Sequence, residues 1–175
     1  NTKYFGRFAF CLGLNAERYI IMDDDILPGR KCFEKYLSEA KRLNSIIGGN
    51  GRFAITNENY NKLPEIQDIG IRKTTTEVDF VGHMWVFEKN HLLDMFSILP
   101  FTLDTGEDMH LCFSAKLNSG TKSYVCEQTC FDELSDTSKN RLAIDEHASF
   151  RKTPKQERVG VELYFKRLGL KFYGE

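Results

Sequence analysis

Residues 19–29 read YIIMDDDILPG, and this stretch decides the fold class. Its first four residues, 19–22, are apolar without alternation, a pattern typical of a strand that is buried on both faces in the middle of a parallel sheet. Three adjacent carboxylates follow at once, and Pro28 and Gly29 then indicate a turn. Because side chains alternate along an extended chain, we expect Asp23 and Asp25 on the same side.

The three aspartates repel one another, so their position directly after a buried strand is unfavourable unless a cation joins them. Two oxygens on one side suit a divalent ion such as Mg²⁺ or Mn²⁺. Open α/β sheets also bind ligands at the carboxyl ends of their strands. The alternative is a solvated acidic turn, the commoner interpretation of a bare Asp-Asp-Asp run, but the apolar strand before it favours the metal site. An EF-hand calcium loop is disfavoured, because no further Asp/Asn ladder ends in Glu.

Helical and extended patterns alternate around this stretch, which predicts an α/β fold in a single domain, residues 1–175. The predicted helices are 3–15, 30–43, 90–97, 107–117 and a last one with Thr153 as N-cap and Gly169 at its end. The predicted strands are 19–22, 45–48, 78–87 and 124–126, with a turn at 49–51 and loops at 56–76, 100–107 and 131–141.

The composition narrows the class of protein. Lysine and arginine number 24 against 25 aspartates and glutamates, a balance that excludes a general nucleic-acid binder. No apolar run approaches the roughly 18 residues of a membrane span, so we expect no transmembrane segment in this chain. The five scattered cysteines predict mostly buried thiols in a reducing, cytoplasmic compartment, with a Cys126–Cys130 bridge as the alternative. The first residue is Asn rather than Met, which is consistent with a fragment of a longer chain or a trimmed product.

Four segments follow one another along the chain: DDD at 23–25, IIGGNGR at 46–52, VDFVGHMW at 78–85 and TGED at 105–108. In this order they resemble the nucleotide-sugar glycosyltransferases of the GT-A fold. The first matches the D-x-D motif of that family, and the second is similar to the strand and loop that follow it. VDFVGHMW at 78–85 resembles the glycine-containing segment that lines the donor sugar, and TGED at 105–108 resembles an acidic x-E-D motif at a helix start. The resemblance covers roughly residues 15–150 and is to the exostosin-type catalytic domain and to stand-alone enzymes of bacteria and large DNA viruses.

This resemblance implies a Rossmann-like, mixed and mostly parallel sheet flanked by helices, with little of the family's first strand–helix–strand segment present. It implies a metal-dependent enzyme that moves a sugar from a nucleoside-diphosphate sugar, expected to be a UDP-sugar, to a hydroxyl of a glycan or glycoprotein. Asp23, Asp25 and His147 are the expected ligands of Mn²⁺ or Mg²⁺, with Asp24 beside the donor, and a surface turn is the alternative for His147. The resemblance adds the Golgi lumen, or the host cytoplasm for a viral enzyme, to the compartments considered.

The acidic pair Glu107 and Asp108 is the expected catalytic group. The resemblance implies that Asp108 takes the proton of the acceptor hydroxyl in an inverting enzyme, or positions the acceptor in a retaining one, with Glu107 in support. The alternative is a favourable helix start, because the helix dipole stabilises negative charge there.

Further residues are candidates for contact with the donor. Gly82 permits close backbone approach, and His83 beside it is placed to touch the sugar or the diphosphate. Arg7, Arg52 and Arg151 are candidates to face the diphosphate. A solvated helix face is the alternative for the basic residues late in the chain.

Two other classes of function remain open. A nucleotidyltransferase shares the α/β plan and an acidic metal site, but the Gly-rich phosphate loop that usually opens such enzymes is not seen. A non-catalytic carbohydrate-binding module has no need of a metal site at a strand end, so the carboxylates at 23–25 and 107–108 argue against it.

Overall fold

A computed structural model describes residues 2–24, 26–64, 72–130 and 155–175, together with the backbone of a short strand at 135–136. The helices are α1 (Gly6–Leu12), α2 (Cys32–Leu43), α3 (Lys89–Ser97), α4 (Glu107–Ser119) and α5 (Lys155–Arg167). The strands are β1 (Arg18–Met22), β2 (Leu27–Pro28), β3 (Ile46–Arg52), β4 (Thr76–Val78), β5 (Phe80–Glu88), β6 (Ser123–Val125) and β7 (Ser135–Asp136). Two 3₁₀ turns, Lys3–Phe5 and Tyr60–Lys62, complete the described elements.

Five of the strands form an open, mixed sheet in the order β1-β5-β3-β6-β4, and β2 and β7 form a separate pair. The expected α/β fold with a mixed sheet is therefore present. The expected predominance of parallel pairing is not found among these strands. Only β3 and β6 pair in parallel, because β5 runs in the opposite direction between β1 and β3 and β4 pairs antiparallel with β6.

Helices cover both faces of the sheet, because β5 carries buried apolar side chains on each face. Trp85 and Phe87 belong to the larger apolar core, which also contains residues of α1, α3, α4 and α5. Met84 and Val86 belong to the smaller core, which is built with Tyr36 and its neighbours on α2. Both sets are almost completely buried, so β5 contributes side chains to two helical layers at once.

The prediction that residues 19–22 form an interior strand is wrong in one respect. The strand exists, but β1 lies at the edge of the described sheet and pairs with β5 alone. Only Tyr19 is buried in it, while Ile20, Ile21 and Met22 are half-buried against the two cores. An edge strand between two helical layers can be apolar on both faces, so the run of apolar residues did not distinguish edge from centre.

The turn predicted at 49–51 is also wrong, because β3 continues through it to Arg52. The glycines there serve close packing rather than chain reversal. A Cβ on Gly48 would lie 2.2 Å from the Val81 Cβ, and one on Gly51 would lie 2.8 Å from a methyl group of Val125. Glycine inside a strand often marks such an approach of neighbouring chains.

Two further predictions are wrong in part, because Pro28 of the predicted turn belongs to β2 and the predicted loop 131–141 contains β7, and these two short strands pair with each other. Most of the other predicted elements agree with the structure to within a few residues. Helices α2, α3 and α4 lie where expected, and α1 is shorter than the predicted 3–15. The predicted strand 78–87 is divided at Asp79 into β4 and β5. The predicted N-cap Thr153 and most of the loop 131–141 lie outside the described residues. In the described part of the chain, no helix has the length and apolar character needed to cross a membrane.

No disulfide joins any of the five cysteines, so the alternative of a Cys126–Cys130 bridge does not hold. Cys11, Cys32, Cys112 and Cys126 are buried, as the composition predicts, while Cys130 is exposed. Burial raises the pKa of the Cys32 thiol to about 11 and the pKa of Cys112 and of Cys126 to about 12.

Candidate functional site

The candidate site lies where the carboxyl end of β1 meets the first half of β5 and the start of α4. Asp23 directly follows β1, and its backbone N–H donates a hydrogen bond to the His83 carbonyl oxygen at 2.9 Å. Gly82, the residue before His83, faces the carboxylate of Asp108. Three segments that are far apart in the sequence are thus brought together at one end of two neighbouring strands.

Arg7 on α1 joins two of these segments through an arrangement that we call the Arg7 bridge. Its Nη1 lies 2.5 Å from Asp23 Oδ1 and its Nη2 lies 2.7 Å from Glu107 Oε1. The guanidinium also lies over the Trp85 ring, with 4.4 Å from Cζ to the ring centroid. Short charge-assisted hydrogen bonds of this kind fix geometry strongly, so the Arg7 bridge sets the relative position of Asp23 and Glu107.

Glu107 is the first residue of α4 and is buried, with 6% of its surface exposed. Burial raises its pKa to about 7, the negative charge of Asp108 adds to the rise, and the Arg7 guanidinium opposes it. A carboxyl with a pKa in this range is present in both its neutral and its charged form near neutral pH, as suits a group that assists proton transfer.

Asp108, the next residue, is held by a different arginine. Arg158 on α5 approaches both carboxylate oxygens, at 3.0 Å and 3.3 Å, and the backbone N–H of Met109 donates to Oδ1 at 2.8 Å. The Asp108 side chain keeps 15% of its surface exposed, compared with 9% for the Glu107 side chain. Asp108 is therefore the more accessible of the two carboxylates.

Gly82 leaves open space beside that carboxylate. A Cβ on Gly82 would lie 3.9 Å from Asp108 Oδ2. Apart from the residues that flank Gly82, no other heavy atom of the described residues would lie within 4 Å of it. Glycine here contrasts with Gly48, whose missing side chain is required by packing. The space beside Gly82 is therefore bordered by both the β5 backbone and the Asp108 carboxylate.

His83 adopts a strained backbone conformation at this position. Its φ of 66° lies in the left-handed region, and the register between β3 and β5 shifts opposite it, between Gly48 and Asn50. The His83 Nε2 lies 3.4 Å from the amide nitrogen of buried Asn50, whose Oδ1 accepts a hydrogen bond from Arg52 at 3.0 Å. Its Nδ1 is buried without a hydrogen-bond partner among the described residues. Bulges and strained residues concentrate at functional sites, so this geometry supports His83 as a site residue.

The structure thus brings together the described residues that the sequence singled out: Arg7, Asp23, Gly82, His83, Glu107 and Asp108, with Arg52 connected through Asn50. Asp24 is exposed in the turn after β1. The predicted metal ligands Asp25 and His147, and the predicted phosphate contact Arg151, lie outside the described residues.

Two histidines near the site and the single tryptophan of the chain have structural roles. His110 is buried and its Nε2 lies 2.9 Å from the Met95 carbonyl oxygen, and burial lowers its pKa. His91 accepts the backbone N–H of Glu88 at the start of α3. Trp85 is a core residue whose indole N–H donates to the Val81 carbonyl oxygen at 2.7 Å.

Sequence reasoning missed Arg158 and Asn50. Arg158 stands three residues before Val161 and seven before Phe165, both buried, so helical spacing places it toward the inner side of α5. A charged residue on the buried face of a helix indicates that it pairs with an opposite charge, so the spacing could have predicted an acidic partner for Arg158. The role of Asn50 depends on the register of β3 against β5, and its position between two glycines gave no signal of that register.

Of the three predicted ligands of a divalent cation, Asp23 alone belongs to the described residues. Asp23 offers a carboxylate of the right chemistry at a strand end, with 29% of its side chain exposed. No group of three or more His, Cys, Asp or Glu side chains in the described ranges is arranged to hold a metal. The nearest positive charge to Asp23 in the described contacts is Arg7, so a cation at Asp23 shares this carboxylate with the Arg7 bridge.

A comparison of the sequence with known protein families finds no match, and a comparison with curated proteins finds no significant relative.

Proposed function

We propose that the chain is an enzyme of the glycosyltransferase class that works with a divalent cation. Within that class, we propose that it moves a sugar from a nucleoside-diphosphate sugar, with UDP as the expected nucleotide, to a hydroxyl group of a glycan or glycoprotein. The proposal rests on the convergence of the three segments that resemble GT-A motifs. One guanidinium contacts carboxylates at positions 23 and 107, and an open space at Gly82 lies beside Asp108.

The donor is proposed to bind along β5, where Gly82 leaves the backbone accessible and His83 presents its ring. Asp23, together with Asp25 as the sequence predicts, would hold the cation, which supplies positive charge against the leaving diphosphate. Arg7 contacts the same Asp23 carboxylate, so its positive charge would lie beside the diphosphate that the cation holds.

Asp108 is proposed to act on the acceptor. It is more accessible than Glu107, and its Oδ2 faces the space beside Gly82. In an inverting reaction, the acceptor oxygen bonds to the sugar carbon as the bond to the diphosphate breaks, and the hydroxyl proton passes to Asp108. Arg158 fixes the Asp108 carboxylate in position, and Glu107 supports the site by holding Arg7.

The test is a screen of UDP-sugars for Mn²⁺-stimulated release of UDP, with water or a glycan hydroxyl as acceptor. The change Asp108→Asn should lower turnover by about 10²–10⁴-fold, the range for loss of a general base. UDP binding with Mn²⁺ should persist, because Asp108 contacts the acceptor side. A ligand present at 100 times its Kd stabilises the protein by about 2.7 kcal/mol, which a thermal-shift measurement detects.

Asp104→Asn is the matched control, since Asp104 is an exposed aspartate four residues earlier that pairs with Lys3. It should leave turnover and UDP binding unchanged. Absence of any thermal shift with Mn²⁺ and UDP would contradict the proposal, whereas pyrophosphate release from nucleoside triphosphates would favour a nucleotidyltransferase.

A further inference from the structure

Asn50 connects His83 to Arg52 at the candidate site. It lies opposite Gly82 in the register of β3 against β5 and is buried, with 6% of its surface exposed. Its amide nitrogen Nδ2 lies 3.4 Å from His83 Nε2, and its amide oxygen Oδ1 accepts a hydrogen bond from Arg52 Nη1 at 3.0 Å. The two ends of one amide group are thus each in contact with a different neighbour.

Arg52 determines which end of the amide faces His83. A guanidinium only donates hydrogen bonds, so the amide atom beside it must be the oxygen, and the amide nitrogen must then face the imidazole. Because an amide nitrogen also only donates, the imidazole nitrogen next to it has to be the acceptor. In a neutral imidazole the other ring nitrogen then carries the proton.

From these contacts we infer that Asn50, held by Arg52, is a positioning residue that fixes neutral His83 with its proton on Nδ1. His83 then offers the site an N–H donor rather than a base, since the lone pair of Nε2 faces the Asn50 amide. The use of this donor rests on the proposed function, in which it serves an oxygen atom of the nucleotide sugar. The position of the proton follows from the contacts alone.

The surroundings of Nδ1 agree with a donor that is reserved for a ligand. His83 Nδ1 is buried and has no hydrogen-bond partner among the described residues. A buried N–H without an acceptor is unfavourable, and an oxygen atom of a bound ligand would satisfy it. His83 as a whole is only half-buried, and its backbone is held in the left-handed region with a φ of 66°.

The other described histidines carry their protons on the opposite nitrogen. His91 Nδ1 accepts the backbone N–H of Glu88 at 3.1 Å, so the proton of its neutral ring lies on Nε2. His110 Nε2 lies 2.9 Å from the Met95 carbonyl oxygen, which only accepts, so this nitrogen is protonated as well. In the described part of the chain, His83 alone is expected with its proton on Nδ1.

The experiment records long-range ¹H–¹⁵N correlation spectra of the imidazole rings in ¹⁵N-labelled protein at about pH 8.5, where an ordinary imidazole is neutral. A spectrum of His83→Gln identifies the His83 signals by their loss. In the wild type, His83 should show a protonated Nδ1 and an unprotonated Nε2. His91 and His110 should show the reverse and serve as internal references.

Two variants should move the proton. Asn50→Asp replaces the amide by a carboxylate, which only accepts, so the proton should lie on His83 Nε2. Arg52→Met removes the cation that orients the amide, so the fraction of His83 protonated on Nε2 should increase. Because Arg52 is exposed, this variant keeps the test open if the change at buried Asn50 prevents folding.

Arg42→Met is the matched control. Arg42 is an exposed arginine on α2 that pairs with Glu39, so its loss should leave the His83 signals unchanged. A proton on Nε2 of His83 in the wild type would overturn the inference, and so would a proton that stays on Nδ1 in both Asn50→Asp and Arg52→Met.

The donor role is tested by adding UDP with Mg²⁺ to the wild type. Binding should shift the signal of the His83 Nδ1 proton and leave the His91 and His110 signals in place. Bound UDP without this shift would remove the donor role. If UDP does not bind, the proposed function fails, whereas the position of the His83 proton is still decided by the spectra of the free protein.

Discussion

Replacing Glu107 by glutamine should change how the stability of the protein depends on pH. The pKa of this buried carboxyl rises from its ordinary value of 4.5 to about 7 in the folded protein, chiefly because burial disfavours the charged form. Each pH unit between the two values corresponds to about 1.4 kcal/mol, so the whole difference is worth about 3 kcal/mol.

The sign follows from proton binding. Between pH 4.5 and about 7, the folded state holds a proton on Glu107 that the unfolded state has lost. The contribution of Glu107 to the free energy of unfolding is therefore complete below pH 4.5 and disappears as the pH rises through about 7. Glutamine cannot ionise, so the variant lacks this decline.

The assay is urea denaturation of the wild type and Glu107→Gln at pH values from 4.5 to 8.5. The stability of the variant minus that of the wild type should increase by about 3 kcal/mol across this range, whatever its value at the acid end. Loss of the hydrogen bond from Arg7 shifts the difference at every pH but does not create this slope.

Glu34→Gln serves as the control, because it removes an exposed carboxylate from α2 and so corrects for the change in net charge. A stability difference between Glu107→Gln and the wild type that stays flat from pH 4.5 to 8.5 would refute the reasoning. It would show that Glu107 is ionised in the folded protein at the same pH as in the unfolded chain.

Three further predictions concern the packing and the contacts of the site. Gly48→Ala should destabilise the protein by about 1–3 kcal/mol in urea denaturation, because its Cβ would lie 2.2 Å from the Val81 Cβ; an unchanged midpoint would contradict the packing. Gly82→Ala should keep stability within about 1 kcal/mol but weaken UDP-sugar binding about tenfold or more by filling the space beside Asp108, and equal affinity by calorimetry would remove Gly82 from the donor site. A double-mutant cycle of Arg158→Met and Asp108→Ala should give a coupling of about 1–2 kcal/mol in stability, and additive effects would show that the ion pair is not formed.

Local patterns predicted most of the fold. Helical spacing located α2, α3 and α4, and apolar runs located β1, β5 and the start of β3. What local patterns did not determine was the position of each strand in the sheet. β1 has the apolar composition of an interior strand yet lies at the edge of the described sheet. Its position is set by β5, which lies between β1 and β3, and no local pattern in β1 indicates that arrangement.

The turn predicted at the glycines of β3 was wrong for the same reason, namely that local patterns do not show which strands pair. A Gly-rich segment indicates a turn when it is considered alone. In the folded protein, Gly48 and Gly51 face side chains from β5 and β6 that no local pattern connects to them. The requirement for glycine is a property of the neighbouring chains, so it becomes apparent only when the pairing is known.

Several residues that the sequence singled out lie close together in the structure, and their role as a site stays a prediction. Asp23, Gly82, His83 and the acidic pair at 107–108 were each selected by residue type and by the resemblance of their surroundings, and the structure places them together. The connections between them could not be predicted. Arg7 was expected to face a diphosphate, and no sequence pattern indicated that one guanidinium would contact two carboxylates from different elements.

The distribution of the thiols has a practical consequence. Four of the five cysteines are buried, and burial raises the pKa of each of them, whereas Cys130 is exposed. A maleimide dye or a nitroxide reagent at neutral pH should therefore attach at one place in the native protein without any engineered cysteine. A probe at that position would allow a fluorescence or spin-label titration to follow ligand addition in the unmutated chain.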